Sequence, residues 1–461
     1  MRGGFGIFYD IEDGGLNLQF GGEPPFGYIA NIFPSYGSGS PSDCMGPVPC
    51  GAIADPWAPS TNPYNPFVPG FRQPSPIPFA YLTYPHFRTP YSENFNYGFQ
   101  WQATRDTMVE AVYVGSLGRK LISSGEVNFP QPNIESYQLQ TYGQINGECA
   151  RNLSNCTGGQ LNPADPFDPT GTPTGPQQLL TNFSNGLSDS DQFQLTVDKR
   201  FGHGLMFRAA YTLAKTIDLT SGFRSRSAQY TDPLDPRLDR SLADFDVPQR
   251  LVLSGIYELP FAKPIHSDGI LKKVAEGWQA NVIASFQKGN PITFYSNSNA
   301  SGQDQAPDLT RVDVIGPVQH SNPKNTANSF PSQCNSGATN DASTNPSHFW
   351  INPSSMVCNP CPTTDPTCAS SADQPGIPLF TFGNLSRNSI RGPGINNFDI
   401  SLAKKTVIHE SKSLEFRAEF FNAFNHTQFF RVDNAGLSST FGQVLSDRGP
   451  RLIQLALKFY F

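Results

Sequence analysis

Residues 451–461, with the sequence RLIQLALKFYF, alternate between apolar and polar side chains up to the last residue of the chain. One parity is entirely apolar and consists of Ile453, Leu455, Leu457, Phe459 and Phe461. The other parity carries Gln454, Lys458 and Tyr460, with Leu452 and Ala456 as exceptions. Because successive side chains of a β-strand point to opposite faces, this segment predicts a strand with one apolar and one mostly polar face. A terminal aromatic fits a membrane-embedded sheet better than a soluble protein, where chain ends usually fray.

Nine other segments repeat this two-faced pattern and predict nine further strands. They are residues 3–9, 93–104, 108–117, 191–200, 204–214, 249–259, 277–288, 396–404 and 413–424. Their length of roughly ten residues is the length at which a tilted strand crosses a bilayer. The pattern therefore predicts an all-β fold, either an antiparallel transmembrane β-barrel or a soluble β-sandwich, which also alternates.

The gaps between the predicted strands alternate in length, and this favours the barrel. Long gaps at 10–92, 118–189, 216–248 and 289–395 alternate with short gaps at 105–107, 201–203 and 405–412, a medium gap at 260–276 and a moderate one at 425–450. Outer-membrane barrels have short periplasmic turns and long extracellular loops, whereas a sandwich has no reason to sort its loops in this way. In this orientation the last strand runs inward, and Phe461 ends at the periplasmic side.

The composition agrees with a β-rich membrane protein. Charged residues make up 15% of the chain and aromatic residues 12%, and the 41 glycines and 42 prolines exclude a helical bundle. No apolar run approaches the ~18–20 residues of a transmembrane helix. The formal net charge is −6, with no block of Lys or Arg, so nucleic acid is not an expected partner.

Eight cysteines fall in the long gaps, which predicts disulfides in an oxidising compartment. They form three sets: Cys44 and Cys50; Cys149 and Cys156; and Cys334, Cys358, Cys361 and Cys368. We expect local pairing in the first two sets, while the last set allows three connectivities. The alternative for the last set is a four-cysteine zinc site, but its irregular spacing and extracellular placement favour disulfides.

Aspartates and arginines cluster between residues 232 and 250. The cluster contains Asp232, Asp235, Asp239, Asp244, Asp246, Arg237, Arg240 and Arg250. It could form a calcium or ligand site, but EF-hand spacing is lacking, and a salt-bridged loop descending into a strand is favoured.

Nine aromatic residues of the predicted strands are expected to lie at the two membrane–water interfaces, in the girdles typical of membrane barrels. They are Tyr9, Tyr97, Trp101, Tyr211, Tyr257, Trp278, Phe420, Phe459 and Phe461.

Four segments carry a resemblance to a known family. Residues 416–429, FRAEFFNAFNHTQF, resemble the penultimate strand of TonB-dependent outer-membrane receptors, and are most similar to the Oar-like group. Residues 243–260, ADFDVPQRLVLSGIYELP, residues 2–10, RGGFGIFYD, and residues 277–279, GWQ, resemble other strands of that group. The loops match nothing that we can name.

The resemblance implies a 22-stranded barrel that is occluded by an N-terminal plug. Ten strands would then be the C-terminal part of such a barrel, so we expect residues 1–461 to be one partial barrel domain, without the plug and the N-terminal regulatory-like domain. It also implies import of an extracellular ligand, which could be a carbohydrate, a peptide or a metal chelate. The implied partners are outer-membrane lipid, the barrel-assembly machinery through the strand ending at Phe461, and the TonB complex through the missing N-terminal part.

We therefore expect a receptor in the outer membrane of a Gram-negative bacterium and not an enzyme. The seven histidines are scattered and no nucleophile-elbow motif is present, so the sequence predicts no catalytic, cofactor-binding or metal-binding residues and no cofactor. The alternatives are a surface adhesion or structural barrel that does not transport, or a barrel hydrolase with a catalytic set at its rim.

Overall fold

A computed structural model shows a large antiparallel sheet with loop segments gathered at one end. It describes residues 1–10, 79–126, 178–222, 230–232, 234–265, 269–296, 311–328, 330, 334, 348–358, 382–409, 412–436 and 438–461. Within these ranges no helix has the length and apolar character needed to cross a bilayer.

Eighteen strands are present in the described part of the chain. Twelve of them form the main sheet: β1 Arg2–Tyr9, β2 Phe79–Thr83, β3 Tyr91–Gln102, β4 Thr107–Glu126, β5 Gln178–Gly202, β6 Leu205–Asp218, β7 Ser241–Leu242, β8 Gln249–Glu258, β9 Trp278–Gln287, β16 Ile395–His409, β17 Lys412–Phe421 and β18 Leu452–Tyr460. Six short strands pair elsewhere: β10 Pro291–Ile292, β11 Asp313–Val314, β12 Gln319–His320, β13 Ile351–Asn352, β14 Met356–Val357 and β15 Ile390–Arg391. The helical elements are α1, Ile270–Ala275, and two 3₁₀ turns, Pro236–Asp239 and Pro353–Ser355.

The sheet is a meander of ten long strands in the order β1-β3-β4-β5-β6-β8-β9-β16-β17-β18. Every neighbouring pair in this order is antiparallel. The short β7 pairs with the end of β6, and β2 adds to β5 in parallel. The sheet is open in this structure, with β1 and β18 at its two edges.

All ten predicted strands are present, so the large antiparallel sheet predicted from the sequence is confirmed. Four strands run at least four residues further than predicted: β4 reaches Glu126, β5 begins at Gln178, β6 reaches Asp218 and β16 reaches His409. The predicted gaps 118–189 and 405–412 were therefore too long. The register shifts in both places, between Gly118 and Leu121 and between Val407 and His409, and an irregular register hides the two-residue period that the prediction used.

The strand register collects the apolar parity of neighbouring strands on one face of the sheet and the polar parity on the other. Leu455 pairs with Ala418, whereas the next residue of β18 toward its start, Gln454, pairs with Glu419. The apolar side chains of β18 are largely exposed, as a lipid-facing surface requires. On the polar face the Arg417 guanidinium lies 2.7 Å from Glu415 and 3.5 Å from Glu419.

The connections divide the sheet into two different ends. At the end that we call the turn end, short connections join β3 to β4, β5 to β6, β8 to β9 and β16 to β17. The strand ends that are joined by the longer connections lie at the opposite end, the loop end. The predicted sorting of gaps is thus confirmed, and Phe461 lies at the turn end.

The connection from β8 to β9 is the longest at the turn end, and it contains α1. Gly277 closes this connection with a φ of 75°, a conformation that side chains with a Cβ rarely adopt. Its carbonyl oxygen accepts a hydrogen bond of 2.9 Å from the Lys405 amide of β16. A Cβ at this position would collide with the Lys405 carbonyl oxygen.

We expect Gly277→Ala to lower the free energy of unfolding by about 1–3 kcal/mol, because the backbone must leave its left-handed conformation. The matched control is Gly316→Ala, since a Cβ there meets open space. The measurement is the midpoint of denaturant unfolding in detergent micelles, in which the control should stay within about 0.5 kcal/mol of the parent protein. Equal midpoints for the two variants would contradict this account of the turn.

Candidate functional site

The loop segments at the loop end fold into a compact unit with its own apolar core. Segments 288–296, 311–320, 348–358, 382–391 and 428–444 contribute to it, and we call this unit the loop-end assembly. Three two-stranded sheets hold it together: β10 with β15, β11 with β14 and β12 with β13. Its core is a cluster of buried side chains: Phe294, Val312, Cys334, Ile351, Met356, Cys358, Leu385, Ile390, Val432 and Phe441. Burial of these side chains is what orders segments that contain little long secondary structure.

A disulfide between Cys334 and Cys358 lies within this core. It closes a loop of 24 residues and confirms the predicted disulfide chemistry for this pair. It is compatible with one of the three connectivities that the sequence left open for the last cysteine set. The remaining predicted cysteines, Cys44, Cys50, Cys149, Cys156, Cys361 and Cys368, lie outside the described residues.

The Asp and Arg cluster predicted from the sequence lies between β6 and β8, against the loop-end assembly. Asp239 is one of its buried carboxylates, and it accepts two hydrogen bonds of 2.7 Å from the amide and hydroxyl of Thr231. Burial raises the pKa of Asp239, while those two bonds and the nearby Arg311 oppose the rise. Arg311 itself is buried and donates to the Leu238 carbonyl oxygen at 3.1 Å.

Arg387 is the cation that ties the cluster to the loop-end assembly. Its guanidinium pairs with the buried Asp218 carboxylate at the end of β6 and lies 3.2 Å from Asp244. It also donates from Nε to the Asp239 carbonyl oxygen at 3.0 Å and from Nη1 to the Ser221 hydroxyl at 3.3 Å. One side chain thus fixes the end of a barrel strand, the cluster and the assembly in one arrangement.

A second pair, Arg391 with Asp246, repeats this connection. The Arg391 guanidinium lies 2.5 Å from the buried Asp246 carboxylate, which also accepts the Thr216 amide of β6 at 2.7 Å. Arg391 donates in addition to the Gly289 carbonyl oxygen at 3.1 Å, just after β9. The pair of Arg391 and Asp246 therefore connects β6 with the segment that follows β9.

The rest of the predicted cluster is peripheral. Asp235 caps the 3₁₀ turn at the Arg237 amide, and the ion pair between these two residues is exposed. Arg240 lies 3.9 Å from Asp189, and Asp232 accepts the Leu234 amide at 2.8 Å. In the described part of the chain, no group of His, Cys, Asp or Glu side chains could hold a metal ion. The salt-bridged loop favoured from the sequence is what the structure shows.

The sequence prediction missed four members of this network: Asp218, Arg311, Arg387 and Arg391. The two arginines at 387 and 391 lie more than 140 residues after their aspartate partners, and no spacing rule connects such distant positions. The sequence offered one hint of a structural role for Arg391: it follows the apolar Ile390 just before the predicted strand at 396–404.

A groove of about 680 Å³ opens at the loop end beside strands β4, β5 and β6. Tyr113, Phe193 and Leu213 line it, and they are direct register neighbours that share the apolar parity. Leu242 and Pro248 line its other side. Because its walls are mainly apolar and belong to the apolar face, this groove suits an apolar group better than a water-soluble ligand.

A second candidate site lies where β4 and β5 extend past the other strands. Thr181 and Asn182 are buried there between β4 and β2. Among the described residues, the Asn182 side-chain oxygen and nitrogen and the Thr181 hydroxyl have no hydrogen-bonding partner. Buried polar atoms are normally paired, so these three atoms mark a place where hydrogen-bonding capacity is unused.

A separate hydrogen-bonded group lies at the same end of β4 and β5. Ser123 donates to the Asn185 side-chain oxygen at 2.6 Å, and the hydroxyl of the fully buried Tyr230 donates to the same oxygen at 2.9 Å. Burial raises the pKa of Tyr230 to about 12, so its hydroxyl stays protonated. We call Thr181 and Asn182, whose side-chain atoms are unpaired, the Asn182 cluster. Its uncharged hydroxyl and amide are suited to hydrogen bonds with a neutral polar group.

The comparisons with known proteins agree with this fold. The sequence profile described as an outer membrane beta barrel domain matches residues 1–454. The chain belongs to this family. The outer-membrane location and the barrel-type sheet predicted from the sequence are thereby confirmed. No curated protein sequence matches this outer-membrane barrel chain.

Several solved outer-membrane proteins are similar in structure to this barrel chain. The outer membrane transporter YddB from Escherichia coli is 10% identical with a TM-score of 0.37, and the match covers 83% of this chain and 34% of that one. The ferric-catecholate import receptor Fiu from E. coli is 9% identical with a TM-score of 0.33, covering 81% and 28%. The ferripyoverdine receptor of Pseudomonas aeruginosa is 9% identical with a TM-score of 0.32, covering 81% and 28%. This chain therefore spans about a third of their length.

We expect Arg387→Ala to destabilise the loop-end assembly of this barrel chain by about 3–5 kcal/mol, because the change leaves the buried Asp218 carboxylate without its cation. The matched control is Arg237→Ala, whose guanidinium is 93% exposed and which should change stability by less than about 0.5 kcal/mol. Hydrogen exchange of the amides in residues 382–391 measures the difference. Unchanged protection in Arg387→Ala would show that the network does not hold the assembly.

A second prediction concerns pH. Burial raises the pKa of Asp313 to about 6, although a hydrogen bond from the Asn384 amide opposes the rise. The folded state therefore binds this proton more tightly than the unfolded state does. The assembly should gain stability as pH falls from 7 through 6 toward the ordinary aspartate range near 4.

The Asp313→Asn variant should lose this part of the pH dependence, because an amide does not titrate. The measurement is hydrogen exchange of residues 382–391 between pH 7 and pH 5, corrected for the intrinsic effect of pH on exchange. Asp235→Asn, at an exposed position, is the control and should keep the parent profile. A parent protein whose protection falls on acidification over this range would refute the prediction.

Proposed function

We propose that this chain is the barrel part of a TonB-dependent outer-membrane receptor of the Oar-like group, which binds and imports an extracellular ligand. The barrel family and the four strand segments that resemble this group support the proposal. In the proposed orientation, the loop end faces the outside of the cell and the turn end faces the periplasm, since outer-membrane barrels carry their long loops outside.

We propose further that residues 1–461 are one part of a larger closed barrel. The support is the pair of open edges at β1 and β18, because unpaired backbone groups are not tolerated in lipid. Additional strands would pair with both edges, and a plug and the contact with the TonB complex would lie in the same additional part. The strand ending at Phe461 would be the contact for the barrel-assembly machinery.

The observation that carries ligand binding is the unpaired Asn182 amide, fully buried at the loop end. A buried amide without partners is unfavourable by about 1–3 kcal/mol, and a bound ligand that supplies a donor and an acceptor would remove that cost. A barrel with only a structural or adhesive role has no reason to keep such a group there. The unpaired groups of Asn182 and Thr181 are uncharged, which favours a ligand rich in hydroxyl or amide groups.

The test is an Asn182→Leu substitution in the protein expressed in its own host. The solutes removed from the culture medium are compared between the parent strain, a strain without the gene and the variant. We expect one or more solutes to be removed only when the gene is present, and to be removed roughly tenfold more slowly by the variant, since two ligand hydrogen bonds are lost.

The same substitution should leave stability unchanged or slightly increased, because an apolar side chain of similar size replaces an unpaired polar one. This separates loss of binding from loss of folding. Asn290→Leu, at an exposed loop-end position, is the matched control and should remove solutes at the parent rate. If deletion of the gene changes the removal of no solute, import is refuted and the adhesive or structural barrel is favoured.

A further inference from the structure

The short helix α1 lies on the same side of the sheet as the apolar face. Two side chains of apolar-face parity, Trp278 of β9 and Lys404 of β16, are direct partners in the sheet register. The Trp278 indole nitrogen donates to the Val274 carbonyl oxygen at 2.8 Å. The Lys404 ammonium donates to the carbonyl oxygens of Lys273 and Glu276, each at 2.9 Å. Because both side chains leave the sheet on its apolar face, the helix that they hold lies on that side.

The outer surface of α1 is apolar and unpartnered in the described part of the chain. Ile270, Leu271 and Val274 are 81%, 73% and 56% exposed. Positions i, i+1 and i+4 lie on one side of a helix, so these three side chains form one patch. A patch of this kind in water is unfavourable, at roughly 25 cal/mol for each Å² of apolar surface.

Cationic side chains border this patch. Lys273 of α1 is exposed, and the Lys404 ammonium sits 5.5 Å from the centre of the Trp278 ring, at the end of the sheet. Lysines next to a tryptophan at the edge of an apolar surface are typical of the lipid headgroup region, where the ammonium reaches phosphate and the ring lies at the interface.

We propose that α1 is an interfacial helix that inserts Ile270, Leu271 and Val274 into the lipid leaflet at the turn end of the barrel. The apolar face of the sheet already contacts lipid, and α1 continues that surface at its edge. The neighbouring lysines complement the phosphate groups of phospholipids, and anionic phospholipids most of all. In the orientation proposed above, this leaflet is the periplasmic one. The helix fixes the depth of β8 and β9 in the bilayer.

The experiment uses the full chain reconstituted in phosphatidylcholine vesicles that contain a phosphatidylcholine with a photoreactive acyl chain. After illumination, mass spectrometry locates the lipid adducts. We expect adducts on α1 as well as on Leu455 and Leu457 of β18, which report that the sheet is inserted. Adducts on β18 without adducts on α1 would overturn the proposal, as would a cross-link from α1 to a second protein chain.

The Leu271→Asp variant should lose the α1 adducts by at least about tenfold and keep those on β18, because a carboxylate is far more costly than a leucine side chain in lipid. Leu238→Asp makes the same change at an exposed position of the loop end, and it should leave the adducts on α1 unchanged. Loss of the α1 adducts in both variants would also overturn the proposal.

A second arm tests the lysines. When the photoreactive lipid is a phosphatidylglycerol, Lys273→Glu should reduce its adducts on α1 by up to about fivefold, the effect of one cation near an anionic surface. With the phosphatidylcholine probe the same variant should match the parent protein. An equal response to the two probes would refute the part of the proposal that concerns anionic headgroups.

Discussion

Lipid cannot form hydrogen bonds, so every backbone amide and carbonyl group that crosses it must be paired within the protein. In this chain the ten-strand meander meets that constraint for its eight inner strands, and its register decides which side chains face lipid. Gln454 faces Glu419 and Leu455 faces Ala418, so polar groups gather on one face and apolar groups on the other. A slip of one residue in any strand would turn charges such as Arg417 toward lipid, at a cost of several kcal/mol. The register is therefore fixed because the polar face must contact water and the apolar face must contact lipid.

The loop end obeys a different constraint, because its segments have no lipid to organise them. Its apolar core is small, and the connection to the sheet depends on ion pairs that are buried from water. Arg387 and Arg391 each pair with a carboxylate and also donate to backbone carbonyl groups of other segments. Buried pairs of this kind add little net stability over apolar packing, but the loss of one partner is costly. Their effect is to select one arrangement of loops over the rim.

The sequence predicted the strands of the sheet more completely than it predicted the loop end. All ten long strands follow from alternation at two-residue period, and the two ends of the sheet follow from the sorting of gap lengths. The same rule failed where the register shifts, near Gly118 and Val407, and for the short β2, which has too few residues to show a period. In the loop end one local cluster of aspartates and arginines was recognised. The cations that pair with Asp244 and Asp246 come from positions beyond 380, and only folding brings such distant residues together. Sequence reasoning could predict a disulfide there, but not that Cys334 would pair with Cys358.

The contrast between charged and neutral polar groups at the loop end bears on function. The buried carboxylates of Asp218, Asp239 and Asp246 all have charged or hydrogen-bonding partners, as their high desolvation cost requires. The amide of Asn182 costs less to bury, and among the described residues its oxygen and nitrogen have no hydrogen-bonding partner. A protein can keep an unpaired amide at a cost of about 1–3 kcal/mol, whereas an unpaired buried charge would unfold the region. In the proposed function, a neutral ligand that pairs the amide would remove that cost without separating any ion pair of the network. The assembly would then stay rigid while the ligand binds at Asn182 and leaves.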